Sequence, residues 1–288
     1  MVNKISLCVF SKDRPAQLRL LLESLQANAK DLFDINVIYR ASSPEYELGY
    51  TQLFQERTSE LPIVHFIDEN VSDNFKQLVL DVIDNGDFNL FAFATDDTIF
   101  YRDINSYVED PYVEIEHALN HEDCICYSLR LGVNIHYENY YTNQSIVIPN
   151  TQLLTPRTLA WEWKKCQPSV TGYPLSVDMH IFKRKVIKSL VDRAVFDSPN
   201  SLEGNMSSWA HTIKQDYITS PLISMAFCNS INRTQDIWQN YAGGKYPMTI
   251  KELNDKYLSG EVIDFKKLEF GNIKSTHDEI QLVWRTLR

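Results

Sequence analysis

The stretch that decides the fold is Phe88-Asn89-Leu90-Phe91-Ala92-Phe93-Ala94, which is followed at once by Thr95-Asp96-Asp97-Thr98. Its almost entirely apolar character is typical of a central strand that is covered on both faces. Two adjacent carboxylates at the end of such a strand repel each other and lose hydration, so they persist where a cation or hydrogen bonds offset that cost. Spacing alone leaves two interpretations open: a Mg²⁺ or Mn²⁺ site, or a solvated turn in which Asp96 caps the next segment.

The segments before this strand alternate between strand and helix. Strands are expected at 4–10, 35–40 and 62–67, and helices at 15–28, 45–58 and 72–85, the last with Ser72 or Asp73 as its N-cap. This order predicts an α/β fold with a parallel, doubly wound sheet. Because ligands of such sheets bind beyond the carboxyl ends of the strands, we expect the functional residues directly after each strand.

The second half of the chain has a less regular pattern. We expect helices at 111–120, 180–193 and 201–214, strands at 123–130 and 217–228, and an extended excursion at 131–150. The chain contains no internal repeat and no linker rich in Pro, Gly or Ser. We therefore expect one domain over 1–234, with a C-terminal tail, 235–288, that packs on it.

Composition and charge exclude several classes of function. The formal net charge is −10, which would repel the phosphates of nucleic acid but still admits a small anionic ligand beside a divalent metal. No apolar run approaches the roughly 20 residues of a membrane span, and the N-terminus fits a first strand better than a signal peptide. The five cysteines are odd in number and lack paired metal spacing, so we expect reduced thiols and a cytoplasmic protein, with peripheral membrane association left open.

Two segments together carry a family resemblance: Asp96-Asp97 after the apolar strand, and the opening Cys8-Val9-Phe10-Ser11-Lys12-Asp13-Arg14-Pro15-Ala16-Gln17-Leu18. They resemble the GT-A glycosyltransferases, especially glycosyltransferase family 2. The resemblance implies a Rossmann-like domain with a nucleotide-binding half at 1–100 and an acceptor and catalytic half at 101–234. It further implies sugar transfer from a UDP-, GDP- or dTDP-linked donor to a glycan or other hydroxyl acceptor, as in polysaccharide biosynthesis, with Mn²⁺ or Mg²⁺ as cofactor.

The family's acidic "DxD" site falls on Thr95-Asp96-Asp97, with threonine at the first acidic position. By this alignment Asp97 is the metal ligand, and Asp96 supports the ribose or the metal. The loop after the first strand, which holds the nucleotide in the family, maps to Ser11, Lys12 and Arg14. A basic residue of the third helix reaches the nucleotide in many relatives, and Lys76 is its best-placed counterpart here, although lysines are often simply solvated.

The segment His180-Ile181-Phe182-Lys183-Arg184 resembles the family's "xxFRR" motif, which places Glu203 at the position of the catalytic base. In inverting relatives that acid removes the proton of the acceptor hydroxyl. The usual residue is Asp, and Gly204 stands where an acidic partner is expected, so Asp178 is the second candidate for the base. The alternatives are a first-turn acid favoured by the helix dipole for Glu203 and a helix N-cap for Asp178.

Further candidates come from the same resemblance and from residue type. Many relatives add a late histidine to the metal site, for which His277 is the best placed, with Asn232 as an alternative. His180 and His211 are expected on helices as packing or surface residues. Aromatic side chains could stack on sugar rings, although core packing is the more common role of such residues: Tyr137, Tyr140, Tyr141, Trp161, Trp163 and Trp209.

Two other functions compete with glycosyl transfer. A nucleotidyltransferase would need a glycine-rich phosphate loop after the first strand, which is absent from a chain with nine glycines in all. A non-catalytic module that binds nucleotide or carbohydrate on a degenerate transferase fold stays open because of Thr95 and Gly204.

Overall fold

The computed structural model describes residues 3–56, 58–121, 123–138, 144–147, 149–234 and 242–287. The strands of these residues are β1 (Ile5–Lys12), β2 (Phe33–Arg40), β3 (Val64–Asp68), β4 (Leu90–Thr95), β5 (Thr98–Phe100), β6 (Cys124–Ser128), β7 (Gln152–Thr155), β8 (Thr158–Glu162), β9 (His180–Lys183), β10 (Tyr217–Pro221), β11 (Ala226–Asn229), β12 (Glu261–Ile263), β13 (His277–Asp278) and β14 (Trp284–Thr286). The α-helices are α1 (Pro15–Asn28), α2 (Pro44–Gln55), α3 (Phe75–Asp84), α4 (Ile104–Tyr107), α5 (Pro111–Asn120), α6 (Arg184–Arg193), α7 (Pro199–Ser208) and α8 (Ile250–Leu258).

The main sheet has nine strands in the order β3-β2-β1-β4-β9-β6-β10-β8-β7. The strands β1 to β4 are parallel to one another, and only β9 and β8 run against the direction of the others. The mostly parallel α/β sheet expected from the sequence is confirmed. The chain moves outward from β1 to β2 and β3 and then returns to place β4 on the other side of β1, which makes the β1–β4 boundary the topological switch point.

Helices cover both faces of this sheet. Buried leucines of α1, such as Leu18, Leu21 and Leu25, pack on one face, and Phe75, Val79 and Val82 of α3 pack on the other. Helix α1 spans the predicted residues, with Pro15 in its first turn, where a missing N–H costs nothing. The predicted N-cap of α3 is wrong: the side chain of Asn74, rather than that of Ser72 or Asp73, accepts the N–H of Gln77.

Three predictions for the second half are wrong. Residues 180–193 form strand β9 followed by α6, so His180 lies on a strand; a short run buried on both faces has no period that separates strand from helix. Residues 217–228 form two strands, β10 and β11, which belong to different sheets. The predicted helix at 201–214 is α7, which ends at Ser208, and a separate 3₁₀ turn, Ala210–Thr212, that carries His211.

The C-terminal segment contacts the first half of the chain. Gln52 of α2 donates to the carbonyl of Tyr257 in α8 at 2.8 Å, and Asn254 donates to the carbonyl of Glu45 at 3.1 Å. Strand β13 pairs in parallel with β11, which itself pairs with β5 directly after Asp97. This small sheet of β13, β11 and β5 brings His277 toward the end of β4.

Two further predictions concern the state of the cysteines and the presence of membrane-spanning segments. All five cysteines are free thiols. Within the described part of the chain, no helix has the length and apolar character needed to cross a membrane.

Candidate functional site

A cleft of about 1030 Å³ lies at the edge of the main sheet where β1 to β4 end. Its walls include residues at the ends of β1, β2, β4 and β6, residues just after β3, and the segment that enters β9. Neighbouring strands are about 4.8 Å apart, so the six strands from β3 to β6 carry the cleft over roughly 24 Å. The strand order therefore gives the order in which side chains follow one another along the cleft.

Asp96 is buried at the switch point and is held by the end of β1. Its carboxylate accepts hydrogen bonds from the Ser11 hydroxyl at 2.9 Å, the Lys12 backbone N–H at 3.1 Å and the Arg14 guanidinium at 3.0 Å. Burial raises the pKa of Asp96 to about 6, against the lowering effect of Arg14. Asp96 thus anchors the loop between β1 and α1, and three predicted site residues, Ser11, Lys12 and Arg14, meet at it.

Arg14 is buried and joins three segments of the chain. Its Nη1 lies 3.0 Å from Asp96 Oδ1 and 3.5 Å from Asp97 Oδ2, and its Nη2 donates to the carbonyl of Asn232 at 2.7 Å. Its guanidinium is thus paired with Asp96 and Asp97 and not with the adjacent Asp13. Asp13 instead accepts the backbone N–H and the hydroxyl of Ser42.

Thr95 stands between two carboxylates. Its Oγ1 lies 2.8 Å from Asp97 Oδ1 and 2.9 Å from Asp178 Oδ1. A hydroxyl has one proton and can donate to one of these oxygens at a time. Asp97 and Asp178 therefore lie close to one point of the cleft, although Asp97 follows β4 and Asp178 precedes β9.

Arg130, which the sequence reading missed, lies buried beneath Asp178. Its Nε donates to the Asp178 carbonyl at 2.7 Å, its Nη2 donates to the Ser176 hydroxyl at 2.9 Å, and its Nη1 lies 3.3 Å from Asp178 Oδ2. Burial alone would raise the pKa of Asp178, but Arg130 and His277 outweigh it and hold that pKa well below its usual range. The sequence did contain a signal for Arg130, because this charged residue directly follows the mostly apolar segment 124–129.

His277 and Cys228 complete a possible metal-binding group with Asp178. Their ligand atoms all lie within 4.8 Å of one another, and His277 Nε2 is 3.6 Å from Asp178 Oδ2. Burial raises the pKa of the Cys228 thiol well above its usual value, and sulfur is not the type of donor that Mn²⁺ and Mg²⁺ favour. Asp97 is not a member of this group, but its carboxylate meets that of Asp178 at the Thr95 hydroxyl. Carboxylate oxygens suit Mg²⁺ and Mn²⁺, and an imidazole is a common ligand of transition metals, so these residues are compatible with a divalent metal.

Glu203 reaches the same segment from the opposite wall. It lies on α7, whose N-terminus is capped by Ser198, and its Oε1 accepts the backbone N–H of Val177 at 3.2 Å. Burial and the nearby charge of Asp178 raise the pKa of Glu203 to about 7. Glu203 lies beyond the first turn of α7, so the helix-dipole alternative is wrong. Asp178 precedes a strand, so the alternative of a helix N-cap is also wrong.

Lys76 is the predicted site residue that the structure does not bring to the cleft. Its ammonium donates to the carbonyls of Asp192 and Ala194, both at 2.8 Å, at the C-terminal end of α6. Lysines commonly pair with the free carbonyls of a helix C-terminus in this way. Asn232, the alternative metal ligand, lies on the cleft wall, and its side-chain amide donates to the carbonyl of Met248 at 2.9 Å.

None of the four predicted aromatic residues that the structure describes, Tyr137, Trp161, Trp163 and Trp209, is among the residues that line the cleft. Trp161 and Trp163 are buried in the core and donate their ring N–H groups to backbone carbonyls. Tyr140 and Tyr141 lie outside the described residues. The cleft wall instead contains Tyr173, 37% exposed, which the sequence reading did not single out.

Comparisons with known proteins find similarity in three-dimensional structure but not in sequence family. No family model matches the chain, and no curated protein sequence matches it. Similar solved structures include the mannosyltransferase PcManGT from Pyrobaculum calidifontis in complex with GDP-Man and Mn²⁺, at 8% identity and a TM-score of 0.46, covering 81% of this chain and 59% of that one. They also include S. aureus TarS 1–349 in complex with UDP-GlcNAc, at 16% identity and a TM-score of 0.43, covering 75% and 55%.

A longer structure of S. aureus TarS is similar at 13% identity and a TM-score of 0.41, covering 75% of this chain and 35% of that one. This chain therefore spans between 35% and 59% of the lengths of these three structures.

Proposed function

We propose that this protein is a divalent-metal-dependent glycosyltransferase, which moves a sugar from a nucleotide-diphosphate donor to the hydroxyl of a glycan or other acceptor with inversion. The observation that carries the proposal is the convergence of Asp97 and Asp178 on the Thr95 hydroxyl, with His277 beside them and Glu203 on the facing wall. Asp97 directly follows β4, which borders the switch point of the doubly wound sheet, where such folds bind their ligands.

The charge of the cleft floor suits a divalent cation. Four carboxylates lie near two buried guanidinium groups there, those of Arg14 and Arg130. Among these described residues, three carboxylates and two guanidinium groups leave one negative charge over, and Glu203 adds a second once it has lost its proton. Uncompensated carboxylates in a half-buried cleft are costly unless a cation binds. The four carboxylates belong to Asp96, Asp97, Asp178 and Glu203.

Asp97, Asp178 and His277 are the residues that would hold Mn²⁺ or Mg²⁺. When bound, such a metal supplies positive charge to the diphosphate that leaves the sugar. The chain adds its own cations at the end of β1, where Lys12 is exposed on the cleft wall and Arg14 holds Asp97 in place. Ser11 and Asp96 keep this loop in position from beneath.

Glu203 is the proposed general base. It takes the proton of the acceptor hydroxyl while the hydroxyl oxygen forms a bond to the anomeric carbon and the bond from that carbon to the diphosphate oxygen breaks. A pKa of about 7 suits this role, because the carboxylate is then present near neutral pH and still basic enough to accept a proton. Arg130 fixes the segment 176–178, to which Glu203 is hydrogen-bonded.

Two alternatives make different predictions. A nucleotidyltransferase is not favoured, because the residues between β1 and α1 contain no glycine that would let a backbone loop enclose phosphates. A non-catalytic binding module would bind nucleotide without turnover.

The five free thiols are compatible with the cytoplasmic location proposed from the sequence.

The test is a thermal-shift screen against UDP, GDP, dTDP and CMP, each with and without Mn²⁺. Ligand at 100 times its Kd adds about 2.7 kcal/mol to the free energy of unfolding, or a few degrees in Tm for a chain of this size. We expect one nucleotide diphosphate to give a shift that requires the metal, and Asp97→Asn to abolish that metal-dependent shift. Asp87→Asn, a change at an exposed aspartate outside the cleft, is the matched control.

The matching sugar donor then tests catalysis. We expect release of the nucleotide diphosphate and, by NMR of the product, an anomeric configuration opposite to that of the donor. The absence of a metal-dependent shift with all four nucleotides would contradict the proposal. A shift without any turnover would favour the binding module.

A further inference from the structure

The cleft is divided electrostatically along the edge of the sheet. The residues at the ends of β1 and β2 and just after β3 on its wall, here called the β1 arm, include three cations and one anion: Lys12, Arg14, Arg40 and Glu69. Arg14 is engaged by Asp96 and Asp97 and Arg40 by Glu69, whereas Lys12 is exposed on the cleft wall. Arg233 follows Asn232, whose carbonyl accepts from Arg14, and so adds a further positive charge near this arm. The β1 arm therefore suits an anionic ligand.

The opposite end of the cleft has the reverse character. We call it the β6 arm; its described residues are Arg130, Glu138, 168–178 and 197–203. Four carboxylates line it, those of Glu138, Asp178, Asp197 and Glu203. Arg130 is the one cation among these described residues, and its guanidinium is already engaged by Asp178 and Ser176.

The β6 arm also contains an exposed aromatic ring. Tyr173 is 37% exposed on the cleft wall, and burial together with the charge of Glu203 raises its pKa to about 12, so the ring carries no charge near neutral pH. An aromatic face can pack against the C–H groups of a sugar ring. Carboxylates accept hydrogen bonds from sugar hydroxyls, and Asn200 adds both a donor and an acceptor.

We propose that the β6 arm binds an uncharged saccharide acceptor and excludes acceptors that carry carboxylate or phosphate groups. This inference rests on the proposed function, which places the anionic donor on the β1 arm and Glu203 beside the acceptor. An anionic acceptor would bring its charge close to Glu138, Asp197 and Glu203 in a partly desolvated cleft, where the guanidinium of Arg130, the cation on the described wall of that arm, is already engaged by Asp178. Coulomb repulsion at an effective dielectric constant of about 20 makes such a charge unfavourable by at least about tenfold in affinity.

The test uses matched pairs of p-nitrophenyl glycosides that differ at C6 alone. Neutral glucosides, galactosides, mannosides and N-acetylglucosaminides are compared with their 6-carboxylate or 6-phosphate counterparts, using saturation-transfer NMR on protein mixed with Mn²⁺ and the nucleotide diphosphate identified by thermal shift. We expect at least one neutral glycoside to bind, and its charged counterpart to bind at least about tenfold more weakly. Equal or tighter binding of the charged compound would overturn the inference, and so would a failure of every neutral glycoside to bind.

Two variants remove the charge of a carboxylate in the β6 arm while keeping the shape of its side chain. Glu138→Gln keeps an oxygen for the N–H of Val170, and Asp197→Asn keeps one for the hydroxyl of Ser201. The double variant should reduce the discrimination against charged glycosides by at least about threefold, whereas Glu269→Gln at an exposed site outside the cleft should not change it. Unchanged discrimination in the double variant would contradict the role of these carboxylates.

The metal-dependent thermal shift is measured in the same samples. If the nucleotide shift is absent, the proposed function fails. If the shift is present and charged glycosides bind as well as neutral ones, the inference about the acceptor fails alone.

Discussion

Replacing Glu203 with glutamine should make the protein more stable and nearly inactive at the same time. The glutamine keeps the shape of the side chain and an oxygen for the N–H of Val177, so packing and this hydrogen bond are retained. What it removes is a negative charge that is partly buried near Asp178. The change therefore tests the energetic cost of the proposed base directly.

The expected magnitude follows from the pKa of Glu203. That pKa is about 7 in the folded protein against an ordinary value of 4.5, a difference of about 2.5 units. Between these two values the folded chain holds a proton that the unfolded chain has released, so the free energy of unfolding falls as the pH rises through this window. At about 1.36 kcal/mol per unit, the upper limit of the cost is about 3 kcal/mol at pH 8 and about 1 kcal/mol at pH 5.

Urea denaturation of wild type and Glu203→Gln at pH 5 and pH 8 measures this difference. We expect the variant to gain up to about 3 kcal/mol at pH 8 and clearly less at pH 5, while kcat falls by about 10² to 10⁴-fold. In the wild type, kcat/KM should rise with pH through about 7 as Glu203 loses its proton. Glu269→Gln, at an exposed glutamate, should change neither quantity.

Two results would refute this reasoning. A variant that is less stable than wild type at pH 8, or a stability difference that does not depend on pH, would show that the Glu203 carboxylate is not held at a cost in the folded state. A kcat close to that of wild type would show that Glu203 is not the base.

Three further changes test other parts of the site and are read by urea denaturation, with nucleotide binding followed by thermal shift. Arg130→Met should destabilise the fold by roughly 3–5 kcal/mol, because Asp178 is left buried without its guanidinium partner, and Arg130→Lys should recover part of that loss; a cost below about 1 kcal/mol would contradict the pairing. Lys76→Ala should leave the metal-dependent nucleotide shift unchanged, because its ammonium binds the end of α6; loss of the shift would restore Lys76 to the nucleotide site. Ser198→Ala should cost about 1 kcal/mol and lower kcat by displacing α7, and Ser198→Asp should restore both, since either side chain can cap the helix; an unchanged free energy of unfolding would argue against the cap.

The first half of the fold was predictable because local signals are sufficient there. Strands β1 and β4 are short, mostly apolar runs, β2 and β3 are rich in β-branched and aromatic residues, and parallel strands joined by helices have few possible arrangements. The position of Asp96 and Asp97 at the ligand-binding edge follows from that order alone. Strand β9 was missed because it is buried on both faces and pairs with β4 and β6, which are distant in sequence.

For the candidate site, the sequence by itself determined which residue types follow which strands: the pair Asp96-Asp97, the loop of Ser11, Lys12 and Arg14, and an acid at position 203. Only the tertiary structure decided which contacts each of them makes. It assigned Lys76 to a helix end, placed Arg130 beneath Asp178, and brought His277 to that carboxylate through the pairing of β13 with β11. The pKa of Glu203 depends on burial and on the distance to Asp178, and such quantities arise from contacts between segments far apart in the chain, which no local pattern records.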